Sequence, residues 1–462
     1  MKNMMNFTKQ LNSVSKDNLL FDGKTLKALL IPLIIEQVLN SLMGVADTMM
    51  VSRVGSASIS AVSNVDQINI LVIQLFSALA TGAAIICSQY LGRNDEKKAG
   101  EAAEQVVLTV GTLSLMFTLI CMVFCKPLLR LIYGSVAADV MDASIIYFFI
   151  TAMSFPFLAL FAAGSAFFRA AGNAKYPMRI SVISNLMNII GNAVLIFVFD
   201  MGVAGAAIST LASRVFCMAV IFLKLRKNEE NQAIKLKRMF IVKPRFGLIA
   251  TLLSVGIPAG IENGMFQFGK LAIQSSVATL STDQMAAQAM AIMLEGLTSM
   301  IGIGIGIGMM TVVGQAIGAG RIEEAKYYIT RLTFYAEIGV TGLSLVIMAL
   351  TKPITMLAGM NDYTADLCIK MMLAITVVKP LVWTLSFIPG YGMRAAGDVR
   401  FSMIVSMVTM WTLRVAICIF LIRFMGFGPI AVWIAMFTDW TVRALIFLFR
   451  FKSGKWHSHN LI

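Results

Sequence analysis

Ile31-Pro-Leu-Ile-Ile-Glu36 and Ile257-Pro-Ala-Gly-Ile-Glu262 stand 226 residues apart and share Ile, Pro, Ile and Glu at the same places. The same offset carries Gln89 and Gly92 onto Gln315 and Gly318, Ala99 onto Ala325, Lys126-Pro127 onto Lys352-Pro353, and Gly202 onto Gly428. A slip of one residue then aligns Arg169-Ala-Ala-Gly172 with Arg394-Ala-Ala-Gly397. Apolar residues coincide often by chance, but paired Pro, Glu, Lys-Pro and Arg-Ala-Ala-Gly in one register do not. The chain is therefore an internal duplication, and fixed-period self-similarity of this kind sets the architecture before any single element is assigned.

Composition tells what kind of unit is duplicated. Of 462 residues 58% are hydrophobic and 13% charged, and the mean hydropathy is +0.81, values that exclude soluble, disordered and collagenous chains. Apolar runs of spanning length are predicted at 26–50, 60–90, 102–125, 143–168, 178–199, 203–223, 247–271, 284–316, 327–351, 368–393, 401–422 and 428–449. The fold expected is an all-α integral membrane protein of twelve transmembrane helices in two parallel six-helix repeats. Its parts are a cytoplasmic segment 1–25, an N-lobe 26–223, a basic linker 224–246, a C-lobe 247–450 and a tail 451–462. Six is even, so both repeats enter the membrane in the same sense, an arrangement shared by secondary transporters whose halves rock about a cavity.

The net charge of +14 raises the question of a nucleic-acid partner, which its distribution answers. Residues 1–27, the stretch Lys224–Arg245 and the tail from Arg450 supply +12 of it. Loops on the side of the termini, with the linker, hold 27 Lys and Arg, against six on the other side: Arg53, Lys126, Arg130, Lys352, Lys370 and Arg423. Membrane orientation explains the charge, both termini are expected in the cytoplasm, and no nucleic acid is needed. Six scattered cysteines form no CxxC pair, and no apolar segment before about residue 26 suggests a cleaved leader.

Catalytic and nucleotide signatures fail. Gly23-Lys24-Thr25 lacks the upstream Gly of a phosphate-cradling loop, and His457 and His459 both lie in the tail. No catalytic residue, cofactor or enzymatic activity is expected. Candidates come instead from charges inside spans, each of which costs on the order of 2.5–3.5 kcal/mol to insert unless partnered. Glu36 and Asp47 share a helix, 11 residues and about 16 Å apart on nearly the same face. Glu262 repeats Glu36, and each follows a Pro by four residues, where a missing backbone donor leaves a carbonyl beside the acid. These acids suit a proton, a sodium ion or a cationic substrate, or equally an interhelical bond. Arg214, Lys270, Lys379, Arg414 and Arg443 are cations within spans; Lys379, Lys270 and Arg414 are potential partners of Glu262 or Glu295, and Asp439 and Arg443 have the spacing of an i,i+4 pair. Asn188 and Asn192 share a face and offer amide oxygens without charge, as interhelical glue or as ligands.

Several of these stretches have a familiar form. Pro32 to Gly55, with Asp47-Thr-Met-Met-Val-Ser-Arg-Val-Gly55, resembles the first helix of the multidrug and toxic compound extrusion (MATE) family. Ser88-Gln-Tyr-Leu-Gly92, Phe168-Arg-Ala-Ala-Gly-Asn173, Gly202-Val-Ala-Gly-Ala-Ala207 and Gly256-Ile-Pro-Ala-Gly-Ile-Glu262 fall where that family has such motifs, and the likeness runs from about residue 26 to 450. The resemblance implies a V-shaped pair of six-helix lobes in a bacterial inner membrane, acting as a monomer. It implies export of small amphipathic cations in exchange for H+ or Na+, with Asp47 and the polar pair of the fifth helix as the N-lobe cation site and Asp47 as the place for any sodium ion. The sequence departs from the pattern where Asn192 replaces an Asp, Phe266 stands at the seventh-helix acid position and Trp383 near the tenth-helix Asp. A flippase or exporter of a lipid-linked or polar metabolite is the alternative, for which Lys379 and Arg414 would contact phosphate.

Overall fold

The computed structural model describes residues 19–51, 56–134, 136–227, 233–236, 242–458 and 461, without the side chains of 42–49, 51 and 56. Among these residues every regular element is helical. In chain order they are α1 (Gly23–Val51), α2 (Ser56–Gly92), α3 (Glu96–Val123), α4 (Cys125–Tyr133), α5 (Ala138–Met153), α6 (Phe155–Ala170) and α7 (Lys175–Val198). There follow α8 (Gly202–Arg226), α9 (Phe246–Val277), α10 (Thr282–Gly318), α11 (Ile322–Leu357), α12 (Asp362–Ala395), α13 (Val399–Arg423) and α14 (Ile430–Lys452). Among the described residues ten helices are long and apolar enough to cross a membrane, and the bent pair α5–α6 makes an eleventh span. With α1, 29 residues long, the twelve spans of the sequence reading are accounted for.

The duplication reappears in the backbone. Helices α2 and α10 are both 37 residues long and end at the paired Gly92 and Gly318. The two Arg-Ala-Ala-Gly motifs close α6 and α12 in the same way. Gly172 and Gly397 take φ of +79° and +100°, conformations that a side chain resists. The next residue's N–H reaches back in each case, Asn173 to Phe168 O at 2.9 Å and Asp398 to Met393 O at 3.0 Å, the six-to-one bond of a Schellman end.

The fourth span differs from the expected single rod over 143–168. It breaks at Ser154 with a bend of 41° between α5 and α6. Pro156 sits in the first turn of α6, where a missing N–H is harmless at a helix start and disruptive inside a continuous helix. The break is put to use, because Arg214 of α8 donates to Ser154 Oγ at 2.6 Å.

The chain divides into two compact units, Ile31–Gly260 and a second built from the residues up to Leu30 and from Ile261 onward. Both divisions fall inside helices, α1 and α9, within two residues of their prolines. The described end of the expected linker packs with the first unit: Gln105 Nε2 donates to Lys243 O at 3.0 Å and Arg245 N to Gln105 Oε1 at 2.9 Å. The first part of α9 lies against α2 in that same unit. A Cβ at residue 82 would meet Leu252 O at 3.2 Å and Gly256 N at 3.3 Å, so these helices approach backbone to backbone. In the second unit the residues just before α1 are held by α11: Leu20 N donates to Glu324 Oε1 at 2.6 Å and Phe21 N to Tyr328 OH at 2.8 Å.

Gly82→Leu is expected to lower stability by roughly 1–3 kcal/mol through overpacking against backbone that cannot yield. Gly264→Ala, with nothing within 4 Å of the new methyl, is expected to leave it within about 0.5 kcal/mol. Because all six cysteines are buried, thermal unfolding in detergent read by a thiol-reactive dye measures both.

Candidate functional site

In the first unit, Glu36 is buried at 6% exposure on α1. Arg169 Nη1 stands 3.9 Å from its Oε2, beyond hydrogen-bond reach, and Ser181 Oγ donates to Oε1 at 3.4 Å. Among the described residues Oε2 has no hydrogen-bond donor. The second unit repeats the arrangement. Glu262 is 8% exposed, Arg394 Nη2 lies 3.6 Å from its Oε1, and its Oε2 again has no donor among the described residues. The two motifs that align in the sequence, Pro-x-x-x-Glu and Arg-Ala-Ala-Gly, are therefore partners in space within each unit. Sequence reading placed Lys379, Lys270 and Arg414 as candidate partners of Glu262; the structure gives that place to Arg394, at the helix end set by the positive-φ Gly397 three residues on.

Asn188 and Asn192 come together on α7, as their spacing requires. Asn192 Nδ2 donates to Asn188 Oδ1 at 3.4 Å, and Asn188 Nδ2 donates to Ser209 Oγ at 3.4 Å and Thr210 Oγ1 at 3.2 Å on α8. The helix then widens to π geometry over Ala193–Val198. Asp47 lies on α1, but its side chain is outside the described residues. Among the described residues no three His, Cys, Asp or Glu gather into a metal-binding group. Sequence reading missed Asp66 on α2, which accepts from Asn69 Nδ2 at 3.1 Å and from Tyr147 OH at 3.4 Å. Its signal was present, an acid one turn before an amide in an apolar run.

The second unit holds most of the intramembrane charge. Lys379 is fully buried, and its ammonium meets Glu295 Oε1 at 2.6 Å, Glu295 O at 3.0 Å, Ser299 Oγ at 2.7 Å and the Thr298 hydroxyl. Three donors facing four acceptors leave no capacity for another ligand. Lys379 and Glu295 thus bind α12 to α10, and a pair so saturated is expensive to break. Asp439 and Arg443 form the i,i+4 pair read from their spacing, at 2.9 and 3.2 Å. Arg414, in the π-helical stretch Met410–Val415 of α13, is left with the same aspartate at 3.9 Å, and its buried Nε has no acceptor among the described residues. Arg414 and Lys270 each stand 5.2 Å from the Phe266 ring, and no described carboxylate lies at ion-pair distance from Lys270.

Comparison with known proteins joins these features. The MatE family model matches twice, at residues 32–194 and 258–420, the second match displaced by the same 226 residues as the internal repeat. The chain belongs to the MATE family. It is a multi-pass membrane transporter of the multidrug extrusion class. It is 27% identical over 431 residues to the uncharacterized transporter YisQ of Bacillus subtilis, covering 92% of this chain and 93% of that one. It is 24% identical over 454 residues to the probable multidrug resistance protein NorM of Thermotoga maritima, covering 95% and 94%. A solved structure of MATE in the straight conformation superposes with a TM-score of 0.84 at 20% identity, covering 94% of this chain and 96% of the other, a likeness of fold.

Removing Asp439 would strand two buried guanidinium groups. Asp439→Ala is expected to cost roughly 3–5 kcal/mol of stability. Asp398→Ala should cost less, since its partner Arg450 is 18% exposed and can reach water. Comparative thermal unfolding of the two variants in one detergent checks the order.

Proposed function

We propose that the protein is a secondary active exporter of small amphipathic compounds, cations among them, that works by alternating access in exchange for H+ or Na+. The observation that supports this most directly is the repeated loose pair, Glu36 with Arg169 and Glu262 with Arg394. Each carboxylate is buried, lies 3.6–3.9 Å from its guanidinium, and keeps one oxygen without a described donor. Such an acid faces its arginine without a hydrogen bond to it, so a proton or an arriving cation that takes the carboxylate breaks no hydrogen bond to the guanidinium. Protonation of Glu36 would release the end of α6 from α1, and protonation of Glu262 would release the end of α12 from α9. A cationic substrate and a coupling ion that compete for carboxylates are antiported with no further chemistry. Asp47, with the Asn188–Asn192 pair, is the proposed partner of Glu36 in coupling. Positive charge in the linker and tails supports cytoplasmic termini in a bacterial inner membrane, where the protein is taken to act as a monomer.

The experiment is efflux of a cationic dye from liposomes containing the purified protein, under Na+ and pH gradients imposed separately. Transport driven by one gradient is expected, and Asp47→Asn with Glu36→Gln is expected to reduce it at least tenfold. Unchanged gradient-driven transport in the double variant defeats the coupling role of these acids.

A second reading has its own observation. Lys270 and the incompletely paired Arg414 leave positive charge on α9 and α13 that no described acid fully pairs, which supports recognition of a phosphate or carboxylate on a polar or lipid-linked metabolite. It predicts that Lys270→Gln with Arg414→Gln weakens binding of a lipid-linked diphosphate at least tenfold; absence of such binding in the unaltered protein removes this reading.

A further inference from the structure

On the second unit, α11, α12 and α14 enclose a groove of about 490 Å3. Its walls are apolar, with Phe334, Leu381, Leu385 and Phe447 among them, and one carboxylate, Glu337, opens into it. Glu337 is half-buried and differs from the other acids described in the middle of this unit's helices. Glu262 faces Arg394, Glu295 faces Lys379 and Asp439 faces Arg443 and Arg414, whereas no described Lys or Arg forms an ion pair with Glu337. Its partners are neutral hydroxyls: Thr341 Oγ1 donates to Oε1 at 3.2 Å from one turn along the same helix, and the Thr384 side chain of α12 stands beside the carboxylate.

The surroundings add further negative character. Pro389 lies on the groove wall inside α12, and a proline within a helix leaves the carbonyl four residues earlier, here that of Leu385 on the same wall, without its helical donor. Phe334 and Phe447 line the groove, and aromatic rings attract cations through their quadrupole. An acid without an ion-pair partner in an apolar cleft of drug-sized volume is complemented by a single positive charge on a hydrophobic body. The geometry points to this groove as a binding site for an amphipathic monocation, its charge on Glu337 and its apolar part along Phe334, Leu381 and Phe447. The site depends on the export reading only for the transport step after binding, and it is a substrate site apart from Asp47, Glu36 and Glu262.

Equilibrium binding of radiolabelled tetraphenylphosphonium to the full-length protein in nanodiscs tests it without any gradient, with triphenylphosphine oxide as the uncharged competitor. Glu337→Gln is expected to weaken tetraphenylphosphonium binding roughly tenfold or more, the effect of losing a charge-assisted contact. Leu385→Trp, which fills the groove and keeps the acid, is expected to abolish the same binding. Triphenylphosphine oxide is expected to compete poorly. Unaltered affinity in both variants overturns the site, and equal competition by the uncharged compound overturns the role of Glu337 in favour of a groove for lipid chains. Should the protein bind tetraphenylphosphonium through Glu337 yet move no dye under either gradient, the export reading fails and the site stands. Gradient-driven transport with both variants binding normally is the reverse outcome.

Discussion

A charge placed among hydrocarbon chains must bring its counter-charge with it, and the interior of this protein is organised by that requirement. Lys379 is the clearest case. Its ammonium sits at zero exposure because Glu295, a backbone carbonyl and two hydroxyls converge on it from α10. That convergence fixes the facing of α10 and α12 more sharply than apolar packing does, since apolar side chains gain little from one another over lipid. Arg214 on Ser154 and Arg443 on Asp439 do the same between other helices or along one.

The duplication adds a second constraint, because one motif performs two tasks in each half. Arg-Ala-Ala-Gly ends a helix through its positive-φ glycine, and the arginine three residues earlier then faces the acid of the Pro-x-x-x-Glu motif. Helix end and ion pair are thereby coupled: displacing the glycine moves the guanidinium. The same coupling in both units gives a reason for these two short stretches to be among those that survive comparison of the chain with itself.

How far the sequence discloses this depends on the range of each interaction. The repeat, the spans, the Asn188–Asn192 face and the Asp439–Arg443 pair were legible, since periodicity and i,i+4 spacing are local properties. Glu36–Arg169 was not, although both residues stood in aligned motifs, because the pair joins positions far apart in the chain and nothing local says which helices adjoin. Lys379 was recognised as needing an acid, and Glu295 was one of two offered; only packing of α10 on α12 chooses between them. The break at Ser154 was announced by Pro156 but masked by an uninterrupted apolar run. Glu337 and Asp66 escaped notice because single acids in long hydrophobic stretches are told apart from surface residues only by what surrounds them.

The pairs also differ in what they cost to open. Protonating Glu295 would leave a buried ammonium without its carboxylate and disturb the hydroxyls bonded to both, so that pair is expected to stay closed throughout a transport cycle. Glu36 and Glu262 make no hydrogen bond to their arginines, so neutralising either acid breaks none to its guanidinium. The buried tight pairs described here lie in the second unit, whereas the loose Glu–Arg pair of the repeated motifs is present in both. A motion that serves both halves must act on what both halves possess, so the loose, duplicated pairs are the elements suited to move, while the tight ones keep their own bundle rigid as they do.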